Sequence, residues 1–153
     1  NAGGQGPNQG CSLGFRDDTF GAAWNEEQGG VYATLWDDTG IRIWVFKRDC
    51  IPPDLKCNKP EPLTWGMPQA FFRFGDDCTA DHFSELRIVI NLTFCGDFAG
   101  PFWAWLLGGC LAKDLFCGSH VREEPRAFEE AYWAVKHVQI YQPASVPSST
   151  PPT

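Results

Sequence analysis

The chain has 153 residues, of which 43% are apolar, 14% aromatic and 20% charged, a balance typical of a globular protein rather than a disordered one. Its formal net charge is −7 and it contains no basic run, so nucleic acid and anionic membrane are poor partners. No apolar stretch is long enough to span a bilayer.

The predicted elements begin after a Gly- and Asn-rich loop at residues 1–10. Residues 31–36 and 41–46 are β-branched and aromatic, and the tetrapeptide DDTG separates them, which predicts a hairpin with Gly at the turn. A shorter strand is predicted at residues 70–74. This part of the chain therefore favours antiparallel β-structure.

The clearest strand pattern lies at residues 86–94, where apolar side chains alternate with a more polar set. A last strand is predicted at residues 135–141. Only one short helix is predicted, at residues 125–132, with Pro125 in the first turn. Many short strands with little helix predict an all-β, antiparallel β-sandwich. Because four or five strands cannot form two complete sheets, we expect this sandwich to be part of a larger fold.

Both ends of the chain and its cysteines suggest a processed, secreted protein. The folded part is expected at residues 11–142, and residues 143–153 form a Pro/Ser/Thr-rich tail or linker. The first residue is not Met, so we expect that it is not the start of the translated product. Seven cysteines and the sequon at Asn91 predict disulfides, glycosylation and an extracellular or cell-wall location.

Spacing suggests how the cysteines could pair, although sequence does not fix their connectivity. Three pairs could close loops, and these are Cys50–Cys57, Cys78–Cys95 and Cys110–Cys117. Cys11 is then left without a partner. Zinc ligation is the alternative, because the pairs Cys78/His82 and Cys117/His120 have ligand-like spacing. Disulfides are preferred in a chain with a sequon, so no metal and no other cofactor is expected.

Several phrases resemble glycoside hydrolase family 16, in particular its fungal laminarinase-like endo-1,3(4)-β-glucanases. The most specific phrase is NLTFCGDFAG at residues 91–100. The others keep the family's order, and they lie at residues 20–34, 41–54, 65–72, 78–83 and 125–142. The resemblance implies a curved jelly-roll (concanavalin-like) sandwich with a β-glucan cleft, of which this chain matches the C-terminal half. It also implies that the counterpart of Cys11 bonds to a cysteine upstream of this chain.

The family cleaves internal β-1,3 or β-1,3/1,4 linkages with retention, which requires two carboxyl groups about 5–5.5 Å apart. In the family both lie in the pattern Glu-x-Asp-x-x-Glu, which does not occur in these 153 residues. Asp81 and Glu85 come nearest in spacing. We therefore expect the catalytic strand to lie outside this chain, and the chain alone to be inactive.

Three aromatic residues are the predicted glucan contacts. The resemblance implies that Phe98 borders the cleft, where the family usually has Trp, although a disulfide-pinned turn is an alternative explanation of this segment. Trp103 and Trp105 are expected in an exposed loop. The leading hypothesis is that the chain forms one flank of a secreted endo-β-glucanase. The alternatives are a non-catalytic β-glucan-binding module, or a structural fragment that needs a partner such as the missing N-terminal half of the domain.

Overall fold

The computed structural model describes residues 12–14, 16–76, 78–92 and 94–142. They divide into two units, of which the first ends at Leu86 and the second begins at Arg87. The predicted loop at residues 1–10, Cys11 and the predicted tail from residue 143 lie outside the described residues.

A three-stranded antiparallel sheet organises the first unit, in the order β1 (Gly30–Asp37), β2 (Gly40–Lys47) and β3 (Ala70–Arg73). The predicted hairpin and the predicted short strand are thus confirmed. The turn is held by Asp37, whose Oδ1 accepts from the backbone N–H of Thr39 at 2.8 Å and from its hydroxyl at 2.6 Å. An Asp side chain bonded two residues ahead mimics a backbone turn, so this two-residue connection is locally specified.

The core of this unit lies where β2 is covered on both faces. Trp44 and Val45 are adjacent, so their side chains point to opposite faces of the sheet, and both are buried. Trp44 packs edge-on against Trp65 at 5.3 Å between ring centroids, and its indole N–H donates to the Gly66 carbonyl at 3.1 Å. The side-chain amide of Gln69 bonds both backbone groups of Val45, at 3.0 and 3.3 Å. This amide therefore satisfies the β2 backbone just before β3 begins.

Short helices connect the strands of the first unit. Helix α1 spans Gly21–Glu26 and α2 spans Pro53–Lys56. Single 3-10 turns occupy Asp17–Thr19, Arg48–Cys50, Pro62–Thr64 and Ala80–His82.

The second unit contains helices α3 (Gly96–Ala99), α4 (Phe102–Leu107) and α5 (Cys117–Glu123). Two 3-10 turns accompany them, at Cys110–Ala112 and Pro125–Phe128. The expectation of a single helix at residues 125–132 was wrong, because only a 3-10 turn forms there and α-helices form elsewhere. Helices of four to seven residues are too short to show an apolar period of 3.6, so the sequence pattern does not reveal them.

Two predicted strands are not formed in the described part of the chain. Neither residues 86–94 nor residues 135–141 belong to a strand, and Thr93 lies outside the described residues. A strand pattern yields a ladder only where a neighbouring strand accepts its hydrogen bonds. The described residues give these two segments no such neighbour, and no second packed sheet is present among them.

No described helix is long and apolar enough to cross a membrane.

Candidate functional site

One disulfide is present among the described cysteines, and it joins Cys95 to Cys117. Cys50, Cys57, Cys78 and Cys110 are free. The predicted pairs Cys78–Cys95 and Cys110–Cys117 were therefore wrong, and Cys50 and Cys57 are not bonded to each other. Short sequence separation suggested those pairs, but the fold brings together cysteines 22 residues apart, at the start of α3 and the start of α5.

This disulfide borders a pocket of about 250 Å³ in the second unit. Trp105, His120 and Phe128 line the pocket, and the imidazole lies between the two aromatic rings, with centroids at 6.0 and 5.7 Å. His120 is 8% exposed, and its Nδ1 has no hydrogen-bond partner in the described structure. A buried polar atom without a partner costs about 1–3 kcal/mol, so this imidazole needs an explanation beyond packing. Sequence spacing suggested only a zinc ligand at this position.

Metal binding receives no structural support from the described residues. Cys117 is consumed by the disulfide and so cannot act as a thiolate ligand beside His120. No group of three or more His, Cys, Asp or Glu side chains within the described ranges is close enough to hold an ion.

The predicted glucan contacts differ in exposure. Trp103 is 70% exposed, as expected, although it lies on α4 rather than in a loop. Trp105 is only 8% exposed, and its indole N–H donates to the Asp114 carbonyl at 2.7 Å. The expected exposure of Trp105 was therefore wrong, because the helix turns this residue inward. Phe98 belongs to α3, but its side chain lies outside the described part of the structure.

An exposed aromatic patch surrounds Trp103. Its ring packs edge-on against Phe102 at 5.6 Å, and Phe102 contacts Phe116 at 6.2 Å. All three side chains are exposed. We call these three residues the α4 patch. Aromatic faces of this kind can cover the apolar C–H faces of a sugar ring.

The described residues of the predicted glycosylation site, Asn91 and Leu92, are exposed. Asn91 is exposed, and its backbone carbonyl accepts the indole N–H of Trp133 at 2.8 Å. The side-chain amide is therefore not needed for this contact.

The described acids that come nearest to a catalytic spacing do not lie together on one strand. Glu27 pairs with Lys47 at 3.3 Å, and Glu123 pairs with Arg122 at 3.2 Å, in exposed positions. Asp81 lies in the 3-10 turn Ala80–His82, and Glu85 follows that turn in the left-handed backbone region, at φ 53°. These acids are thus solvated, paired or separated by irregular backbone, rather than alternating along one strand.

Sequence reasoning missed a pocket of about 290 Å³ in the first unit, which is lined by both charged and apolar side chains. Asp18, Lys47 and the indole of Trp24 line this pocket. Lys47 pairs with Asp18 at 3.0 Å, and it also pairs with Glu27 at 3.3 Å, outside the lining. The hydrogen bond from Lys47 holds the pKa of Asp18 below its ordinary value, while bonds to Asp18 and then Glu27 raise the pKa of Lys47. Burial raises the pKa of the neighbouring Tyr32, whose hydroxyl donates to the Thr19 carbonyl. The three charges come from distant segments, so no local motif marks them.

Comparison with known proteins shows the family. The sequence model of the XgeA-like, catalytic GH16 domain matches residues 2–141. An endo-1,3(4)-beta-glucanase of Arthroderma benhamiae is 40% identical over 152 residues, which is 95% of this chain and 32% of that protein. A protein of Schizosaccharomyces pombe named as a probable glycosidase is 38% identical over 125 residues, which is 81% of this chain and 29% of that protein.

The chain therefore spans about a third or less of the length of these relatives. A solved structure of an elongating GH family 16 beta-1,3-glucosyltransferase is 36% identical, but it covers 39% of this chain and 20% of its own, with a TM-score of 0.37. That overlap is too limited to support an argument about the fold. The family match over nearly the whole chain is decisive by itself: the chain belongs to glycoside hydrolase family 16, whose fold is a β-sandwich of the jelly-roll type.

Proposed function

We propose that this chain is part of a secreted glycoside hydrolase that cleaves internal β-1,3 or β-1,3/1,4 glucosidic bonds with retention. The observation that carries the proposal is the family match over residues 2–141. The name of the 40% identical relative, an endo-1,3(4)-beta-glucanase, supports the linkage.

The catalytic carboxylates are proposed to lie outside these 153 residues. Retention needs a nucleophile and an acid/base about 5–5.5 Å apart, and removing both abolishes the chemistry. The pattern Glu-x-Asp-x-x-Glu is missing from the sequence, and two of the described acids, Glu27 and Glu123, are held in ion pairs. The role of the chain is then to bind and position glucan, with the α4 patch as an exposed aromatic surface for stacking on sugar.

The test compares the full-length protein with the 153-residue chain on laminarin and on mixed-linkage glucan. The full-length protein should release reducing sugar, and the first product seen by NMR should be the β-anomer, whereas the chain alone should release none. A full-length protein with its paired glutamates changed to glutamine is the matched control. No release by the intact protein, or release by the chain alone, would contradict the proposal.

A non-catalytic β-glucan-binding module is the second candidate, and Trp103 is the observation that favours it. An indole that is 70% exposed beside two other exposed rings gives a surface for stacking on sugar. Laminarioligosaccharides should quench tryptophan fluorescence in the wild-type chain and much less in Trp103→Ala. Trp36→Ala removes another exposed indole, in the other unit, and serves as the control. Binding without hydrolysis by the full-length protein would select this candidate over the first.

We further propose that the protein is secreted and glycosylated, and that it lies outside the cell or in the cell wall. The exposed Asn91 within a sequon and the Cys95–Cys117 disulfide support it. In the secreting host, Asn91→Gln should remove a mass shift that peptide-N-glycosidase also removes. An unglycosylated wild-type protein would argue against this part of the proposal.

A further inference from the structure

The second unit brings a disulfide, a free thiol and an unpartnered imidazole to one pocket. The Cys95–Cys117 bond, Cys110 and His120 all line the cavity of about 250 Å³. We propose that this is a thiol–disulfide exchange site, in which Cys110 attacks the Sγ atom of Cys117 and displaces Cys95. The proposal does not depend on the glucanase activity.

The imidazole of His120 supplies the proton acceptor that the exchange requires. The attacking species in such a step is a thiolate, so the thiol proton must be removed. Nδ1 of His120 is buried and has no hydrogen-bond partner among the described residues, which leaves it free to accept that proton. In the resting structure the Cys110 thiol faces the Gly108 carbonyl at 3.6 Å, a weak contact that it can exchange for the imidazole. In this conformation the Cys110 thiol therefore bonds a backbone carbonyl and not the imidazole.

The identity of the displaced sulfur follows from burial. Cys117 is 4% exposed, whereas Cys95 is only half-buried. A thiolate leaves more readily where water solvates it, because burial disfavours the charged form. Attack at Cys117 with departure of Cys95 therefore places the transient charge on the better solvated sulfur.

The step balances without an external oxidant or reductant. The S–H bond of Cys110 breaks and its proton goes to Nδ1 of His120. A bond between Cys110 and Cys117 forms as the bond between Cys95 and Cys117 breaks. The Cys95 thiolate then takes the proton back from the imidazolium, so one thiol and one disulfide stand on each side.

The exchange changes the disulfide partner of Cys117, the first residue of α5. Before it, Cys117 anchors the residue directly in front of α3, and after it, Cys117 anchors the turn that follows α4. Helix α3 thereby loses its covalent anchor, while α4 and α5 become linked across a short loop.

Peptide mapping of the intact chain tests the proposal. Protein purified and stored at acidic pH is moved to pH 8 without redox reagents, and samples are capped with N-ethylmaleimide over time. Trypsin must be combined with chymotrypsin, because no Lys or Arg separates Cys95 from Cys110. A Cys110–Cys117 peptide should accumulate together with capped Cys95, at a rate that does not depend on protein concentration.

Variants separate the roles of the groups. Cys110→Ser should abolish the rearrangement, and His120→Gln should slow it about tenfold or more. Cys50→Ser removes a free thiol of the other unit and should leave the rate unchanged. Capping Cys110 in the wild-type chain before the pH shift gives the same test without any substitution.

Four outcomes would overturn the proposal. These are a Cys95–Cys117 bond that persists unchanged, a bond between Cys110 and Cys11, a rate that falls in Cys50→Ser, and an unaltered rate in His120→Gln.

Discussion

Replacing Gly40 with Ala should destabilise the sheet of the first unit by about 2–4 kcal/mol. Gly40 has φ +147°, a backbone conformation that side chains other than glycine's rarely adopt, and holding alanine there costs about 1–3 kcal/mol. An added Cβ would also lie 2.3 Å from the Phe72 carbonyl and 2.9 Å from Cα of Arg73. Both atoms belong to the β3 backbone, so β3 must move and lose about one hydrogen bond, worth about 1 kcal/mol.

Gly66→Ala is the matched control, because it separates strain from the clash. Gly66 also has positive φ, at +78°, but nothing lies within 4 Å of the point that an added Cβ would occupy, so the loss should be about 1 kcal/mol. Urea unfolding followed by far-UV circular dichroism measures both losses. Hydrogen exchange at the Phe74 amide, which donates to the Thr39 carbonyl at 3.1 Å, locates the damage at the β2–β3 end. Equal losses in the two variants would refute the close approach of β3.

Three further changes test the described contacts. Asp37→Asn should lower the melting temperature at neutral pH, because hydrogen bonds from Thr39 depress the carboxyl pKa. A depressed pKa stabilises the fold fully above the unfolded value and loses that effect as pH falls through the lower folded value, so the difference in melting temperature should begin to shrink below about pH 4 and vanish only below the folded pKa. Trp44→Ala should lower the free energy of unfolding measured in urea by about 3–5 kcal/mol, and Trp44→Phe should lower it clearly less. Cys95→Ser should lower the free energy of unfolding by about 3 kcal/mol, since the bond to Cys117 spans 22 residues. Peptide mapping must show that Cys117 has formed no other disulfide in this variant.

The features that sequence predicted correctly are specified locally. The β1–β2 hairpin follows from two β-branched and aromatic runs around a two-residue turn, and Asp37 fixes that turn through bonds from Thr39 and Arg42, both within five residues of it. Exposure of Trp103 was also predicted, but from an assumed loop, and the helix that carries it places Trp105 inward instead. A shift of two residues along a helix rotates a side chain by more than half a turn, so neighbouring aromatics in one segment need not share a surface.

Features set by tertiary contacts escaped prediction. The partner of Cys95 is decided by where α5 lies, which spacing between cysteines does not encode. The environment of His120 is likewise made by rings from residues 105 and 128. Asp18 and Glu27 meet at Lys47 from separate segments. In each case the functional property belongs to a contact between elements, and no single element shows it.

The two unformed strands connect the fold to the proposed function. Residues 86–94 alternate with Val89 as the one apolar exception, yet Leu86, Ile88 and Ile90 are 47–64% exposed, and Ile140 in the second segment is 74% exposed. Full burial of one such side chain is worth about 1.5–3 kcal/mol, so we expect a covering layer over these positions, which the described residues do not supply. A jelly roll provides such a layer by placing each strand between neighbours in one sheet and against a second sheet. The proposed function places the paired carboxylates outside these 153 residues as well, so the uncovered strand pattern and the absent Glu-x-Asp-x-x-Glu pattern are two independent reasons to test the full-length protein beside this chain.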